Sequence, residues 1–158
     1  MNRLSSLLAL GAIVVAGAFA GAAAQASATP SIAFNVNNAD SSTSMIRTSA
    51  SGNISGLITP PAAILAGSDD PATGAALFTG AALLRNGDHT EASVHYANAG
   101  NTSANVCSFN MQITRITASS YKAHFWISEG VTNCTVPADV TNSNGDFTGT
   151  TYTLVWKT

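Results

Sequence analysis

Hydrophobic positions along this chain of 158 residues follow two regimes. An unbroken apolar run extends from Leu7 to Ala24; beyond residue 28, short stretches alternate apolar and polar residues, separated by clusters of Gly, Asn, Ser and Pro. A period of two puts the apolar side chains on one face of a strand, and turn residues at short intervals mark antiparallel sheets. The expected fold class is therefore mainly β, an antiparallel β-sandwich (or flattened barrel) of about seven to nine short strands. Ile32, Phe34 and Val36 alternate in the opening run, Met45 to Thr48 gives a brief strand, and Asn53 to Thr59 gives another that ends at Pro60 and Pro61. Ala92, Val94 and Tyr96 form one face of a firmer strand, and Tyr152, Leu154 and Trp156 form one face of the last.

The segment 71–92 carries conflicting signals. Asp70 before Pro71 is a helix-starting pair, and a short helix near 71–85 would run through Leu77 and Leu84 to Asn86 and Gly87. Asn86-Gly87 is also a strong hairpin signal, joining 81–85 to 88–92, and Gly74 and Gly80 weaken the helix. The hairpin is the preferred reading.

Val106 to Thr117 and Tyr121 to Ser128 both alternate, and a three-residue turn at 118–120 would set Phe125 opposite Ile113, Ile127 opposite Met111 and Tyr121 opposite Thr117. A slip of one residue would mix the buried and wet faces. In that register Cys107 lies opposite Val131, close to Cys134, so a Cys107–Cys134 disulfide would staple the open end of the hairpin. Its loop of about 28 residues corresponds to a chain-entropy stabilisation on the order of 3 to 4 kcal/mol.

The outward side of this hairpin carries Lys122, His124, Trp126 and Ser128 across from Asn110, Gln112, Thr114 and Ile116. Indole stacks on the apolar side of a sugar ring while amides reach hydroxyls, so Trp126, His124, Lys122, Gln112 and Asn110 form the candidate binding face. The competing reading has Trp126 facing a second sheet or lying under a loop. His89, Glu91, Ser93 and His95 share one face of the preceding strand, but His89 and His95 would lie about 20 Å apart and cannot share a metal ion. No Gly-x-Ser-x-Gly elbow, HExxH or phosphate-cradling glycine loop occurs, and Asp69-Asp70 before Pro71 reads as a capped turn. The expectation is a non-catalytic protein with neither metal nor cofactor.

Composition bounds the partners. Residues 1–28 combine Arg3, the apolar run and small-x-small sites at Ala24-Gln25-Ala26 and Ala26-Ser27-Ala28, the pattern of a cleavable secretory signal peptide. The domain boundaries expected are 1–28 for the signal, cut after Ala28 with Ala26 as the alternative, and 29–158 for a single β-rich domain. The hydrophobic content of 46% is inflated by the signal. Removing Arg3 takes the formal charge from −2 to −3, too small a charge to draw nucleic acid or anionic lipid. Two cysteines in an exported chain pair as a disulfide. Three Asn-x-Ser/Thr matches, at Asn53, Asn101 and Asn133, occur at about the chance frequency for so Asn- and Thr-rich a chain.

The readings that remain are, in order, a secreted non-catalytic β-sandwich that binds a glycan or cell-surface protein, a membrane-active or pilin- or adhesin-like assembling protein, and a small secreted hydrolase. The Ala-rich signal points to a bacterial exporter, to the medium in preference to the periplasm. The intact mass of the exported protein is expected to match a chain beginning at Thr29; a mass retaining residues 1–28 would contradict the cleavage.

Overall fold

A computed structural model describes residues 29–58, 63–72, 74–103, 106–130 and 132–157; residues 1–28, expected to be a signal peptide, lie outside them. The described residues contain twelve strands and no helix: β1 (Ser31–Asn38), β2 (Met45–Ser51), β3 (Ile54–Ser55), β4 (Ala63–Ile64), β5 (Asp69–Asp70), β6 (Ala76–Thr79), β7 (His89–Asn98), β8 (Cys107–Thr117), β9 (Ser120–Glu129), β10 (Cys134–Thr135), β11 (Val140–Asn142) and β12 (Asp146–Trp156). The excess over seven to nine comes from two- and three-residue strands that sequence alternation is too short to register.

The strands form two sheets of six. The first runs β10-β12-β1-β6-β3, with β5 also on β1; the second runs β11-β9-β8-β7-β2-β4. Among the described strands only β1 and β12 pair in parallel. Ile32, Phe34, Val36, Phe78, Leu154 and Trp156 of the first sheet are buried with Val94, Tyr96, Phe109, Met111, Ile113 and Phe125 of the second in one shared core. Each edge strand is only two or three residues long, which leaves little exposed ladder for another chain to pair with.

Several expectations need correction. Neither the helix near 71–85 nor the 81–92 hairpin forms. The chain crosses here from β6 in the first sheet to β7 in the second, so the two runs flanking Asn86-Gly87 are not ladder partners. The crossing is held by its own contacts: the Asp88 carboxylate accepts from the Leu84 and Arg85 backbone N–H groups, and Arg115 donates to the Leu83 and Leu84 carbonyls. Leu83 is thereby buried against the core.

The β8–β9 register is also displaced by two. The turn has two residues, with Thr117 opposite Ser120, and a bulge at Ile116 removes a second residue from the ladder. Met111 therefore faces Phe125 and Phe109 faces Ile127. Two residues is the side-chain period, so the faces of residues 109–115 and 121–127 survive the displacement, whereas Thr117, beyond the bulge, changes sides to pair with Ser120.

The Cys107–Cys134 disulfide forms at the open end of the β8–β9 hairpin, and it does more than close that end. Cys107 pairs with Tyr96 on β7, and Cys134 lies on β10 of the opposite sheet, paired with Trp156, so the bond joins the two sheets. Gly130 turns the chain beneath it with φ +80, where a Cβ would sit 1.9 Å from the Val106 carbonyl oxygen; only glycine fits.

Asp70, expected in a capped turn, is a fully buried strand residue. Its Oδ2 accepts from Arg47 Nη1 at 3.0 Å and Tyr96 Oη at 2.7 Å, and its Oδ1 accepts from the Ile58 N–H at 3.1 Å. Arg47 also donates to the Ile58 carbonyl. Arg47 and Tyr96 belong to the second sheet and Asp70 to the first, so this cluster is a second tie across the sandwich. Asn38 of β1 supplies a third, donating to the Ile64 carbonyl of β4 at 3.0 Å. The bulge in β2 between Arg47 and Ser49 makes the cluster compatible with the sheet: residues 45 and 47 point inward before it, and residues 49 and 51 outward after it.

Burial, reinforced by the adjacent Asp70 carboxylate, pushes the Tyr96 phenol well above its ordinary 10.0, with Arg47 opposing. The unfolded chain then loses this proton first, so the stability contributed by neutral Tyr96 is complete below about pH 10 and is lost as pH rises beyond it. Urea midpoints should fall above pH 10, and less steeply in Tyr96→Phe; equal slopes would contradict the buried phenol. Asp70→Ala leaves the Arg47 charge buried without its partner and should cost about 3 to 5 kcal/mol of unfolding free energy in the same measurement.

Candidate functional site

With one face of β7, β8 and β9 committed to the core, the other is open. Pairing across these strands stacks outward side chains into rungs about 4.8 Å apart from strand to strand. One rung joins Lys122, Thr114 and His89; the next joins His124, Gln112 and Glu91. A third joins Trp126, Asn110, Ser93 and, on β2, Ser51. All five residues singled out from the sequence, Trp126, His124, Lys122, Gln112 and Asn110, thus stand together on the outer face of the second sheet. Trp126 does not face the other sheet; it is half-buried on this surface, whereas Trp156 is fully buried in the core. His89 and Glu91 are exposed, and their strand's other side, Ala92, Val94 and Tyr96, is buried.

The imidazole of His124 stacks on the Trp126 indole, with centroids 5.2 Å apart and planes inclined by 13°. Residues i and i+2 of a strand share a face, which is what brings the rings together. His124 Nδ1 donates to Asp139 Oδ1 at 2.7 Å, leaving Nε2 as an acceptor in the neutral ring. Lys122 Nζ lies 2.6 Å from Asp139 Oδ2, so one carboxylate positions both side chains. Asp139 was not legible as a site residue: it precedes β11, and only the pairing of β11 with residues 121–123 of β9 carries it here.

The polar groups are interlinked. Gln112 Nε2 donates to Glu91 Oε1, and Thr114 Oγ1 donates to Gln112 Oε1 at 3.1 Å. Asn110 Nδ2 donates to Ser128 Oγ at 3.0 Å, and Ser51 and Ser93 share a hydroxyl contact at 2.8 Å. At the far side His95 Nδ1 lies 2.7 Å from Ser108 Oγ, which donates to Glu129 Oε2 at 3.1 Å. Ser51, Ser93 and Glu91 join the face through the strand register, and the shared parity of Ser93 and Glu91 along their strand was the one signal in the sequence that pointed to any of them.

No family model, curated protein or solved structure matches the chain. Among the described residues no three His, Cys, Asp or Glu side chains are grouped to hold a metal ion, and no helix is long and apolar enough to cross a membrane. What the face offers chemically is one indole with an imidazole behind it, two amides, several hydroxyls and carboxylates engaged by neighbouring donors.

Hydrogen bonds from Lys122 and then His124 hold the Asp139 carboxyl below its ordinary 3.8. A depressed folded-state value means the tie stabilises the fold above the unfolded value and is lost as pH falls through the folded one. In a carboxyl NMR titration Asp139 should titrate below 3.8 in the native protein and move up in Lys122→Ala; an unchanged midpoint would show that the Lys122 contact is not made in solution.

Proposed function

We propose that the protein is an exported, non-catalytic binding module that engages its ligand with the outer face of the second sheet, centred on Trp126 and His124. The observation that carries this reading is the placement of the two tryptophans. One fills the core, as a large apolar side chain ordinarily does, while the other stands on an open polar face, stacked on an imidazole whose tautomer is set by a carboxylate. Trp on a surface of amides and hydroxyls is the composition of recognition sites, where few aromatic anchors contribute most of the affinity. Lys122, Gln112 and Asn110 supply the polar contacts around it.

Export is supported by the signal pattern of residues 1–28 together with the Cys107–Cys134 disulfide, which persists in oxidising compartments. The Ala-rich signal fits a bacterial exporter and release to the medium. A second reading, membrane contact, draws on Leu84 and Ile116, exposed large apolar side chains that both lie beside Arg115; leakage of zwitterionic liposomes by the mature protein is its readout.

The test is depletion of the mature protein from solution by whole-cell envelopes of several organisms. Trp126→Ala should weaken that binding about 30-fold, the size of a hot-spot truncation of ~2 kcal/mol. Thr150→Ala, exposed on β12 of the first sheet, should bind as the wild type does. A Trp126→Ala variant that binds undiminished, or a wild type that binds no envelope, contradicts the reading.

A further inference from the structure

The rungs of the open face differ in charge, and that difference indicates which ligand the face can take. The rung of Trp126, Asn110, Ser93 and Ser51 contains no ionisable side chain. The rungs on one side of it carry His124 with Glu91, and Lys122 with His89; the rung on the other carries His95 and Glu129. Lys122 stands against Glu91, Asp139 and Glu129, one cation to three carboxylates, an excess of two negative charges with the histidines neutral. Each carboxylate already has partners on the face: Gln112 and His89 for Glu91, Lys122 and His124 for Asp139, and Ser108 for Glu129.

From this pattern we infer that the ligand is a neutral polysaccharide lying along the uncharged rung, with one pyranose stacked at Trp126 and the chain extending over Asn110 and Ser93 toward Ser51. The inference rests on the reading of this face as the binding surface and adds the class of ligand. Three features select that class. A surplus of negative charge repels polyanions, which excludes uronate polymers and nucleic acid. Carboxylates occupied by Lys, His, Gln and Ser give a polycation no free partner, so displacing those contacts would cost what the new ones return. What remains is the Trp126 indole for the apolar side of a sugar ring, with the Asn110 amide and the Ser93 and Ser51 hydroxyls, whose own contacts are with Ser128, the Ser108 carbonyl, His95 and each other, and which both donate and accept as sugar hydroxyls do. Three strand spacings separate Trp126 from Ser51, about 14 Å, which is longer than one ring and suits an oligomer.

Affinity electrophoresis through gels containing single polymers tests this directly. The neutral set is laminarin, mannan, dextran and xylan; the charged set is alginate, polygalacturonate and glycol chitosan. The mature protein should be retarded by at least one neutral polymer and by none of the charged ones. Asn110→Asp, which places a charge on the rung with almost no change of volume, and Ser93→Asp, which places one there with a larger side chain, should each weaken that retardation at least tenfold, while Thr150→Asp on the first sheet should leave it unchanged. Near-UV circular dichroism of each variant separates a lost site from a lost fold, and Ser51→Ala, at an exposed end of the rung, gives a milder variant if either Asp substitution unfolds. Retardation by a charged polymer that Trp126→Ala abolishes overturns the neutral ligand and leaves the face standing. Neutral-polymer retardation that persists in Trp126→Ala overturns the face itself. Absence of retardation by all four neutral polymers, or full retardation of both Asp variants, overturns the inference.

Discussion

Burial of one face of β7, β8 and β9 against the other sheet is the constraint from which the surface chemistry follows. Val94, Tyr96, Phe109, Met111, Ile113 and Phe125 are all inward and almost fully covered. Each buried Leu, Val, Ile or Phe-sized side chain contributes about 1.5 to 3 kcal/mol relative to exposure, so turning this set outward is prohibitive. Because side chains alternate, fixing those residues inward fixes Ser93, Asn110, Gln112, His124 and Trp126 outward. The candidate face is the complement of the core, carried by the other side of the same strands.

What holds the two sheets in one arrangement is less ordinary. Apolar packing alone tolerates sliding between layers, but three directional contacts cross this sandwich. The disulfide fixes β8 to β10 at one place, the Arg47–Asp70–Tyr96 cluster ties β2 and β7 to β5 at another, and Asn38 reaches from β1 to the Ile64 carbonyl. A buried ion pair is weak evidence for added stability, because desolvation offsets its attraction. Its geometric demand is strong, since Asp70 must meet an arginine, a phenol and a backbone N–H at once. The cluster thus selects one packing of the layers, and the β2 bulge that turns Arg47 inward also turns Ser51 outward into the rung beside Ser93.

Face assignments and the β8–β9 hairpin were legible in the sequence and its register was not, for a physical reason. Alternation is a property of one strand and can be read residue by residue, which is why the sequence alone puts Trp126 and Asn110 on one face. Register depends on turns and bulges that leave no periodic mark; the bulge at Ile116 and the two-residue turn moved Phe125 from Ile113 to Met111 without changing sides. Contacts between sheets were least legible. Nothing near Asp70 in the chain announces Arg47 or Tyr96, and Cys134 follows the β8–β9 hairpin in the chain yet pairs with Trp156 in the other sheet. The Asn86-Gly87 signal failed because a local turn preference does not say whether the flanking runs lie in the same sheet. Asp139 entered the site through β11, a strand too short to show alternation.

The two indoles are opposites, Trp156 sealed between the sheets and Trp126 on the open face. Acrylamide quenching of tryptophan fluorescence in the native protein measures that difference directly. One quenchable and one protected population should be present, and Trp126→Phe should remove the quenchable one while leaving the protected one in place. A quenchable population that survives Trp126→Phe, or a native protein in which neither indole is reached, would contradict the open face on which the proposed recognition depends.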